Sequence, residues 1–269
     1  VYLPRTEGIS STMLREEKKT VIKVGVVGCG RIAKRFIPEA QFVSGIEIVG
    51  AYDNNNSILK EFVKENSLTK AYSSFEEMIG DVDAVYIATP PSSHTTFAIM
   101  AMKAGKPVYV EKPLAASYED CVRINKVYED TKVPCFVAYY RRELPYFKKV
   151  KDIINSGQLG KIINVQIRFA VPPRDLDYEK ADKLPWRLQP DIAGGGYFYD
   201  LASHQLDLLQ YFFGVITEAN GICANRGGLY EAEDSVSACF RFETGLPGSG
   251  SWCFVAHDSA SEDRIEIVG

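Results

Sequence analysis

The feature that most constrains the fold is a glycine-rich turn between an apolar run and a helical pattern. Residues 21–27 are rich in β-branched side chains, which favours a buried strand. The motif Gly28-x-Gly30-x-x-Ala33 follows at once and leads into helical spacing that runs to about Phe42. In a dinucleotide-binding βαβ unit, Gly28 permits the tight turn, Gly30 lets the backbone approach a pyrophosphate, and Ala33 lets the helix approach the strand.

An acidic residue ends the second predicted strand. Residues 46–53 form another apolar run, and Asp53 lies 20 residues after Ala33. A carboxylate at this position can accept a hydrogen bond from a ribose 2′-hydroxyl, and it would repel a 2′-phosphate. No arginine stands beside Asp53, so the pattern predicts NAD rather than NADP. The alternative is a structural glycine turn followed by an unrelated aspartate.

Strands and helices alternate through the first half of the chain. Ser57 is the expected N-cap of one helix, and Ser74 that of another, with Glu77 as its capping-box partner. Further helices are expected at 95–103 and 117–130, and further strands at 84–88, around Glu111-Lys112-Pro113 and at 133–140. This order favours right-handed βαβ units and a parallel sheet. We therefore predict an N-terminal Rossmann domain over residues 21–141.

The second half has a different pattern. Helices are expected at 144–156 and 197–213, and strands at 161–171, 216–224, 235–242, 250–255 and 264–268. The last four strands have no helices between them, which favours an antiparallel sheet. We predict an α+β domain over residues 142–269 with a large, mostly antiparallel open sheet, within an α/β protein. Residues 1–20 lack the apolar core of a secretory signal and are expected to form a poorly ordered leader.

Composition narrows the classes of function. The chain is 46% apolar and 25% charged with a formal net charge of −4, and it has no long basic tract, so nucleic acid is not an expected partner. No apolar run reaches the roughly 20 residues that span a bilayer. None of the six cysteines forms a C-x-x-C pair, so neither a metal site nor a dithiol site is predicted. The cysteines are interpreted as buried, reduced thiols of a cytoplasmic protein.

The run Glu111-Lys112-Pro113 ends a predicted strand with an acid, a base and a proline. Ligands of open α/β sheets bind at the carboxyl ends of strands, so a lysine there can meet a substrate, and proline fixes the backbone behind it. The alternative is a solvated strand end before the next helix. The motif by itself does not decide between the two.

Asp200 and His204 lie four residues apart on a predicted helix that follows three glycines, so they are expected to share a face. A carboxylate can fix the tautomer of an imidazole and raise its basicity, as in general acid–base sites. The alternative, favoured in the absence of other support, is an aspartate stabilised by the helix dipole beside a packed histidine. The irregular segment 172–191 contains Trp186 and Arg187; such long loops are often functional, and the alternative is a surface excursion.

Four motifs together resemble the Gfo/Idh/MocA family, the group of glucose-fructose oxidoreductase and inositol dehydrogenase. They are Gly28-Cys-Gly-Arg-Ile-Ala33, Ala88-Thr-Pro-Pro-Ser-Ser-His94, Glu111-Lys-Pro113 and Gly194-Gly-Gly-Tyr-Phe-Tyr-Asp-Leu-Ala-Ser-His204. The resemblance extends over about residues 21–269. It implies an NAD(P)-dependent enzyme that oxidises or reduces a secondary alcohol or ketone of a sugar, cyclitol or related polyol. It also implies a homodimer or homotetramer formed through the C-terminal sheet.

The resemblance further implies roles for individual residues. Lys112 would lie between nicotinamide and substrate, His204 would be the acid–base, and Asp200 its partner or a substrate ligand. The implied cofactor contacts are Gly28, Gly30, Arg31, Ile32, Asp53, Thr89, Pro90, His94 and Glu111. The expected substrate-side residues are Tyr139, Tyr140, Arg142, Trp186 and Arg187.

The sequence departs from the family pattern in two places. Many members carry an Asn-containing stretch where this chain has Tyr139-Tyr140-Arg141-Arg142, so substrate preference does not transfer. Residues 265–269 look like a strand in the middle of a sheet, so the expectation is either a truncated chain or a small second sheet. Two other functions on this fold stay open: an NAD-dependent glycoside hydrolase that regenerates its cofactor, and a non-catalytic dinucleotide-sensing regulator. The presence of both Lys112 and His204 argues against a regulator.

Overall fold

The computed structural model describes residues 21–179 and 183–269. The predicted leader, residues 1–20, lies outside the described residues. The chain divides into two compact units, the first ending at Ala88 and the second running from Thr89 to Gly269. The predicted domain boundary near Arg141 stays a prediction.

The first unit consists of parallel strands and the helices that connect them. The strands are β1 (Ile22–Val27), β2 (Ile46–Tyr52), β3 (Lys70–Ala71) and β4 (Ala84–Ile87), and the helices are α1 (Arg31–Ala40), α2 (Asn56–Glu65) and α3 (Phe75–Asp81). β1 lies between β2 and β4, and β3 extends the sheet beyond β2. Phe62 of α2 and Met78 of α3 are completely buried. Each such side chain contributes about 1.5–3 kcal/mol through removal of apolar surface from water.

Asparagine, rather than the expected serine, caps α2. The side chain of Asn55 accepts hydrogen bonds from the backbone N–H groups of Ser57 (3.0 Å) and Ile58 (3.2 Å). The prediction that Ser57 is the N-cap is therefore wrong, because Asn55 turns the chain two residues earlier. Ser74 does cap α3 through Glu77 N, whereas the Glu77 carboxylate accepts from Ser73 instead of completing a capping box.

The second unit begins with two further strands of Rossmann type. They are β5 (Val108–Val110) and β6 (Cys135–Val137), which pair in parallel, and they alternate with α4 (Pro91–Lys103) and α5 (Tyr118–Thr131). The strand order of the six-stranded sheet is β3-β2-β1-β4-β5-β6. The predicted parallel Rossmann sheet is thus confirmed, with β1 in the interior position that a dinucleotide-binding turn requires.

The remainder of the second unit is built on a mixed sheet. Its elements are α6 (Pro145–Asn155), β7 (Asn164–Ala170), α7 (Pro190–Ala193), a π-helical turn (Phe198–Ala202), α8 (Ser203–Phe213), β8 (Ile216–Ala224), β9 (Ser235–Phe242), β10 (Pro247–Cys253) and β11 (Glu262–Val268). The strand order is β11-β7-β10-β9-β8, and the pair β7–β10 is parallel while the other pairs are antiparallel. The predicted, mostly antiparallel second sheet is confirmed.

One face of this second sheet forms a core with α8. Leu208 and Leu209 are completely buried against the sheet, where Phe242 and Trp252 are buried to the same degree. The indole N–H of Trp252 donates to Gln205 Oε1 at 2.7 Å, so a polar group inside this core is satisfied. The core fixes α8 and with it the segment that carries Asp200 and His204.

The cysteines are free thiols, but their burial differs from the expectation. Cys29 is buried, whereas Cys223 and Cys239 are exposed. Cys223 lies on β8, an edge strand of the second sheet, and Cys239 is one of the outward-facing residues of β9. Neither side chain therefore lies in the core. Among residues 21–179 and 183–269, no helix is long and apolar enough to cross a membrane.

Asn55 and Ser57 provide a matched test of the cap. Asn55→Ala is expected to lower the free energy of unfolding by about 1 kcal/mol, because two N–H groups at the start of α2 lose their acceptor. Ser57→Ala, two residues away and equally exposed, is expected to leave it nearly unchanged. Urea unfolding followed by circular dichroism measures both. Equal effects of the two substitutions would contradict the assigned cap.

Candidate active site

The glycine turn of the first unit has the geometry that a phosphate-binding turn needs. Gly28 has φ +88°, a left-handed conformation that favours glycine. Gly30 has φ −79°, and a Cβ placed there would meet no atom within 4 Å. Arg31 and Ile32 are exposed in the first turn of α1, while Ala33 is completely buried. The open space above Gly30 and the free N–H groups of the first helical turn fit a pyrophosphate.

Asp53 is held to this turn by backbone groups. Its Oδ2 accepts a hydrogen bond from the N–H of Cys29 at 2.9 Å, and its Oδ1 accepts from the N–H of Asn55 at 2.8 Å. The carboxylate therefore ties the end of β2 to the glycine motif. Each oxygen retains acceptor capacity, so the group can also receive a ribose hydroxyl.

Thr89, Pro90 and Glu111, the next expected cofactor contacts, belong to the second unit. Thr89 Oγ1 accepts from Ser93 Oγ at 2.8 Å, and Pro90 immediately precedes α4. The carboxylate of Glu111 accepts from the backbone N–H of Lys112 at 3.3 Å, directly after β5. These positions follow strand ends, as the sequence predicts.

The ammonium group of Lys112 is fixed by one aspartate. Lys112 Nζ lies 2.6 Å from Asp200 Oδ1 and donates to the backbone carbonyl of Asp200 at 2.7 Å. The two side chains are only 14% and 18% exposed. Two of the three ammonium protons are thereby assigned, and the third has no acceptor among residues 21–179 and 183–269.

The second carboxylate oxygen of Asp200 faces Arg187. Arg187 Nε lies 3.3 Å from Asp200 Oδ2, and the guanidinium lies over the ring of Trp186 at 4.3 Å. Burial raises the pKa of Asp200, but the charges of Lys112 and Arg187 outweigh burial and hold that pKa below its usual value. The carboxylate is therefore ionised and shared between two cations.

The expected pairing of Asp200 with His204 is not observed. No hydrogen bond joins these two side chains in the described part of the chain, and Asp200 binds Lys112 instead. Residues 198–202 form a π-helical turn, and within it the Asp200 carboxylate lies against Lys112 and Arg187. Residues four apart share a face in an α-helix, which is what the sequence pattern assumed.

His204 is a buried, neutral imidazole. The residue is 5% exposed, and its Nδ1 has no hydrogen-bond partner among the described residues. Burial, followed by the positive charges of Lys112 and Arg141, lowers the pKa of His204 to about 3, while Asp200 opposes this. The rings of Tyr139 and Tyr140 stand edge-on to the imidazole, with centroids at 5.9 and 5.4 Å.

The two neighbouring arginines take different positions. Arg142, expected on the substrate side, binds Asp207 with two guanidinium nitrogens, and its side chain lies over the ring of Tyr211. Arg141 instead acts electrostatically on His204 and has no ion-pair partner in the described ranges. Sequence reasoning missed Arg141, since nothing in two adjacent arginines indicates which one faces the histidine.

The structure thus brings together Lys112, Asp200, Arg187, His204 and the two tyrosines. This cluster combines a fixed ammonium donor with a neutral imidazole, the pair needed to move a proton on or off an oxygen. The ammonium can also stabilise negative charge that develops on that oxygen.

The lowered pKa of His204 has a consequence for stability. In the unfolded chain the imidazole has an ordinary pKa of about 6.5, so below that pH the unfolded state binds a proton that the folded state does not. The free energy of unfolding is therefore expected to fall as the pH drops from 7 towards 4, by at most about 1.4 kcal/mol per pH unit from this group. His204→Gln is expected to make the fall shallower. Urea unfolding at several pH values measures the slope, and an unchanged slope in the variant would contradict a neutral buried His204.

Two family models match the chain. An oxidoreductase family with an NAD-binding Rossmann fold matches residues 22–139, and the GFO/IDH/MocA C-terminal domain matches residues 147–269. Oxidoreductase P35 of Formosa agariphila is 31% identical over 249 residues, which cover 91% of this chain and 76% of that protein. Myo-inositol 2-dehydrogenase of Thermotoga maritima is 28% identical, with 84% of this chain and 67% of that protein covered.

The solved structures agree with the sequence matches. The WlbA dehydrogenase from Bordetella pertussis, in complex with NADH and UDP-GlcNAcA, is 31% identical and gives a TM-score of 0.82. The match covers 92% of this chain and 71% of that structure. The chain spans 76%, 60% and 66% of the lengths of three curated relatives. On these matches the chain belongs to the Gfo/Idh/MocA family of NAD-binding oxidoreductases.

Proposed function

We propose that this protein transfers hydride between NAD and a secondary alcohol or ketone carbon of a sugar, cyclitol or related polyol. The observation that carries the proposal is the Lys112 ammonium, fixed by Asp200, in a cluster with the neutral imidazole of His204. The names of relatives support the substrate class, since one is a myo-inositol 2-dehydrogenase and another was solved with NADH and UDP-GlcNAcA.

The cofactor would be held by the first unit. Gly28 and Gly30 give the pyrophosphate access to the backbone, Arg31 and Ile32 present the helix N-terminus, and the Asp53 carboxylate receives the adenosine ribose. The fixed negative charge of Asp53 supports NAD over NADP, because a 2′-phosphate would be repelled. Thr89, Pro90 and Glu111 stay proposed cofactor contacts at strand ends.

Bound nicotinamide supplies or receives the hydride, and the chain's own groups manage the proton. In the oxidation direction His204 takes the hydroxyl proton, which its neutral state allows. Lys112 donates its remaining N–H to the same oxygen and stabilises the charge that develops there. In the reverse direction His204 returns the proton. Asp200 holds Lys112 in place rather than orienting the histidine.

The substrate-side residues are proposed from their positions. Tyr140 is 52% exposed with its ring edge-on to His204, so it presents an aromatic surface and a hydroxyl beside the cluster. Trp186 and Arg187 stack on each other next to Asp200 and offer guanidinium donors to hydroxyl groups. Arg142 is engaged by Asp207, so its proposed contact with substrate would use the guanidinium N–H groups that do not face Asp207.

We also propose that the protein forms a homodimer or homotetramer through the second sheet. Alternate residues of β7 are buried and exposed, so the sheet has one face in the core and a second face open to a partner.

The cytoplasmic location stays a prediction.

A panel of sugars and polyols tests the proposed function. The purified chain is incubated with NAD or NADP and each compound, and nicotinamide reduction is followed by absorbance. We expect turnover with at least one polyol and a higher kcat/KM with NAD than with NADP. Cleavage of nitrophenyl glycosides without accumulation of NADH would favour the glycoside hydrolase, and NAD binding without any turnover would favour the regulator.

Replacement of Lys112 tests its role directly. Lys112→Met is expected to lower kcat by on the order of 100-fold or more, because the donor to the reacting oxygen is lost. The Kd for NAD is expected to change little. Lys103→Met, which removes an exposed lysine from the last turn of α4, is the matched control and should leave kcat unchanged. Loss of NAD binding with an unchanged kcat at saturating NAD would overturn the assignment.

Gly30 gives a test of cofactor binding that needs no substrate. Since Gly30 has a negative φ and open space around a Cβ, Gly30→Ala should fold with unchanged or slightly raised stability, by up to about 1 kcal/mol. The new methyl group occupies space needed by the pyrophosphate, so the affinity for NAD should fall by about tenfold or more, which is ~1.4 kcal/mol. Gly80→Ala is the control, because Gly80 also has open space but lies in α3. Equal affinity for NAD in both variants, measured by calorimetry, would contradict the proposed phosphate site.

A further inference from the structure

The environment of His94 does not match the cofactor contact expected from the sequence. It lies in the first turns of α4 and was expected to contact the cofactor, yet its exposed fraction is 0%. Both ring nitrogens face backbone oxygens: Nδ1 lies 3.0 Å from Pro113 O, and Nε2 lies 2.8 Å from Thr89 O. The side chain offers no surface to a ligand, and both of its polar atoms are engaged by the protein.

These two contacts join separate parts of the second unit. Thr89 precedes α4, and Pro113 follows Lys112 directly. A carbonyl oxygen accepts only, so each ring nitrogen must donate to complete its contact, and a neutral imidazole has a single N–H. Burial lowers the pKa of His94, while the hydrogen bonds to Thr89 and Pro113 oppose this. The neutral imidazole thus lies between the two carbonyls in a fully buried position and donates to one of them at a time.

His94 fixes the backbone beside the candidate catalytic lysine. The carbonyl held by His94 belongs to the residue next to Lys112, whose ammonium group is held at the other end by Asp200. Lys112 is therefore constrained at its backbone and at its tip. Hydride transfer depends on placement, and a misplacement of about 1 Å can lower a rate by on the order of 100-fold.

We propose that His94 is a positioning residue that sets the location of Lys112 through the carbonyl of Pro113, and that it does not bind the cofactor. The proposal rests on the proposed function for its effect on turnover, but its structural content does not depend on turnover. It predicts that the loss of His94 is transmitted to the Lys112 ammonium group.

The first arm of the test observes Lys112 without any substrate. The chain is produced with ¹³Cε-labelled lysine, which leaves the ammonium protons in place, and the resonance absent from Lys112→Arg is assigned to Lys112. We expect His94→Asn, whose shorter side chain lacks the second ring nitrogen, to shift this resonance towards those of exposed lysines. Thr95→Val is the matched control: Thr95 is the next residue of α4, is 4% exposed, and has a hydroxyl without a hydrogen-bond partner in the described ranges. It should leave the resonance unchanged.

The second arm is a double-mutant cycle with the best compound of the panel. We expect His94→Asn to lower kcat by about 10- to 100-fold with little change in the KM for NAD. In the Lys112→Met background the same substitution should lower kcat by less than about twofold, because the group through which it acts is gone. If His94→Asn instead caused a general structural defect, it would lower kcat by the same factor in the Lys112→Met background as in the unsubstituted chain.

The outcomes separate the two proposals. An unchanged Lys112 resonance in folded His94→Asn overturns the positioning role, and so does a fully additive cycle or a loss of NAD binding with normal kcat. A shifted resonance in a chain that turns over no substrate supports the positioning role while the proposed function fails. If His94→Asn does not fold by circular dichroism, His94→Gln replaces it in both arms with the same expected outcomes.

Discussion

The ion pair between Lys112 and Asp200 is the contact on which the candidate active site depends. It joins residues 88 positions apart, one after strand β5 and the other on the π-helical turn before α8. Removal of one partner of a buried pair costs about 3–5 kcal/mol, because the other charge is left without compensation. If Lys112 were replaced, Asp200 would keep Arg187 as a partner. If Asp200 were replaced, Lys112 would lose the carboxylate that holds its ammonium group. The pair therefore matters more for the location of the lysine than for the charge of the aspartate.

The state of His204 follows from the same pair. The carboxylate of Asp200 lies against Lys112 and Arg187 and makes no hydrogen bond to the imidazole in the described residues, and the positive charge of Lys112 adds to burial in disfavouring the imidazolium. The result is a neutral base rather than a histidine with raised basicity. A neutral imidazole has the unprotonated nitrogen that a proton acceptor needs, and the nearby ammonium compensates the charge that the alcohol develops.

Asp53 and His94 show that residues expected to contact a ligand can have their polar atoms engaged by the backbone. Asp53 accepts from two N–H groups and keeps acceptor capacity for a ribose, so the structure is compatible with both uses. His94 is fully buried between two carbonyls, so a contact with a ligand would require its removal from the core. Both side chains fix backbone next to a functional element: the glycine turn in one case, and the lysine segment in the other.

The sequence by itself determined the features that depend on local rules. The periodicity of 2 and 3.6 residues identified most strands and helices, the left-handed conformation at Gly28 required glycine, and a lysine after a strand placed Lys112 at a strand end. The tertiary structure decided the partner of Asp200, the choice of Arg141 over Arg142 as the charge near His204, and the engagement of His94. These depend on contacts between segments that are distant in the sequence, and no periodic pattern contains that information. Sequence spacing therefore identified the chemical groups of the site, whereas the packing of the second unit determined which of them interact.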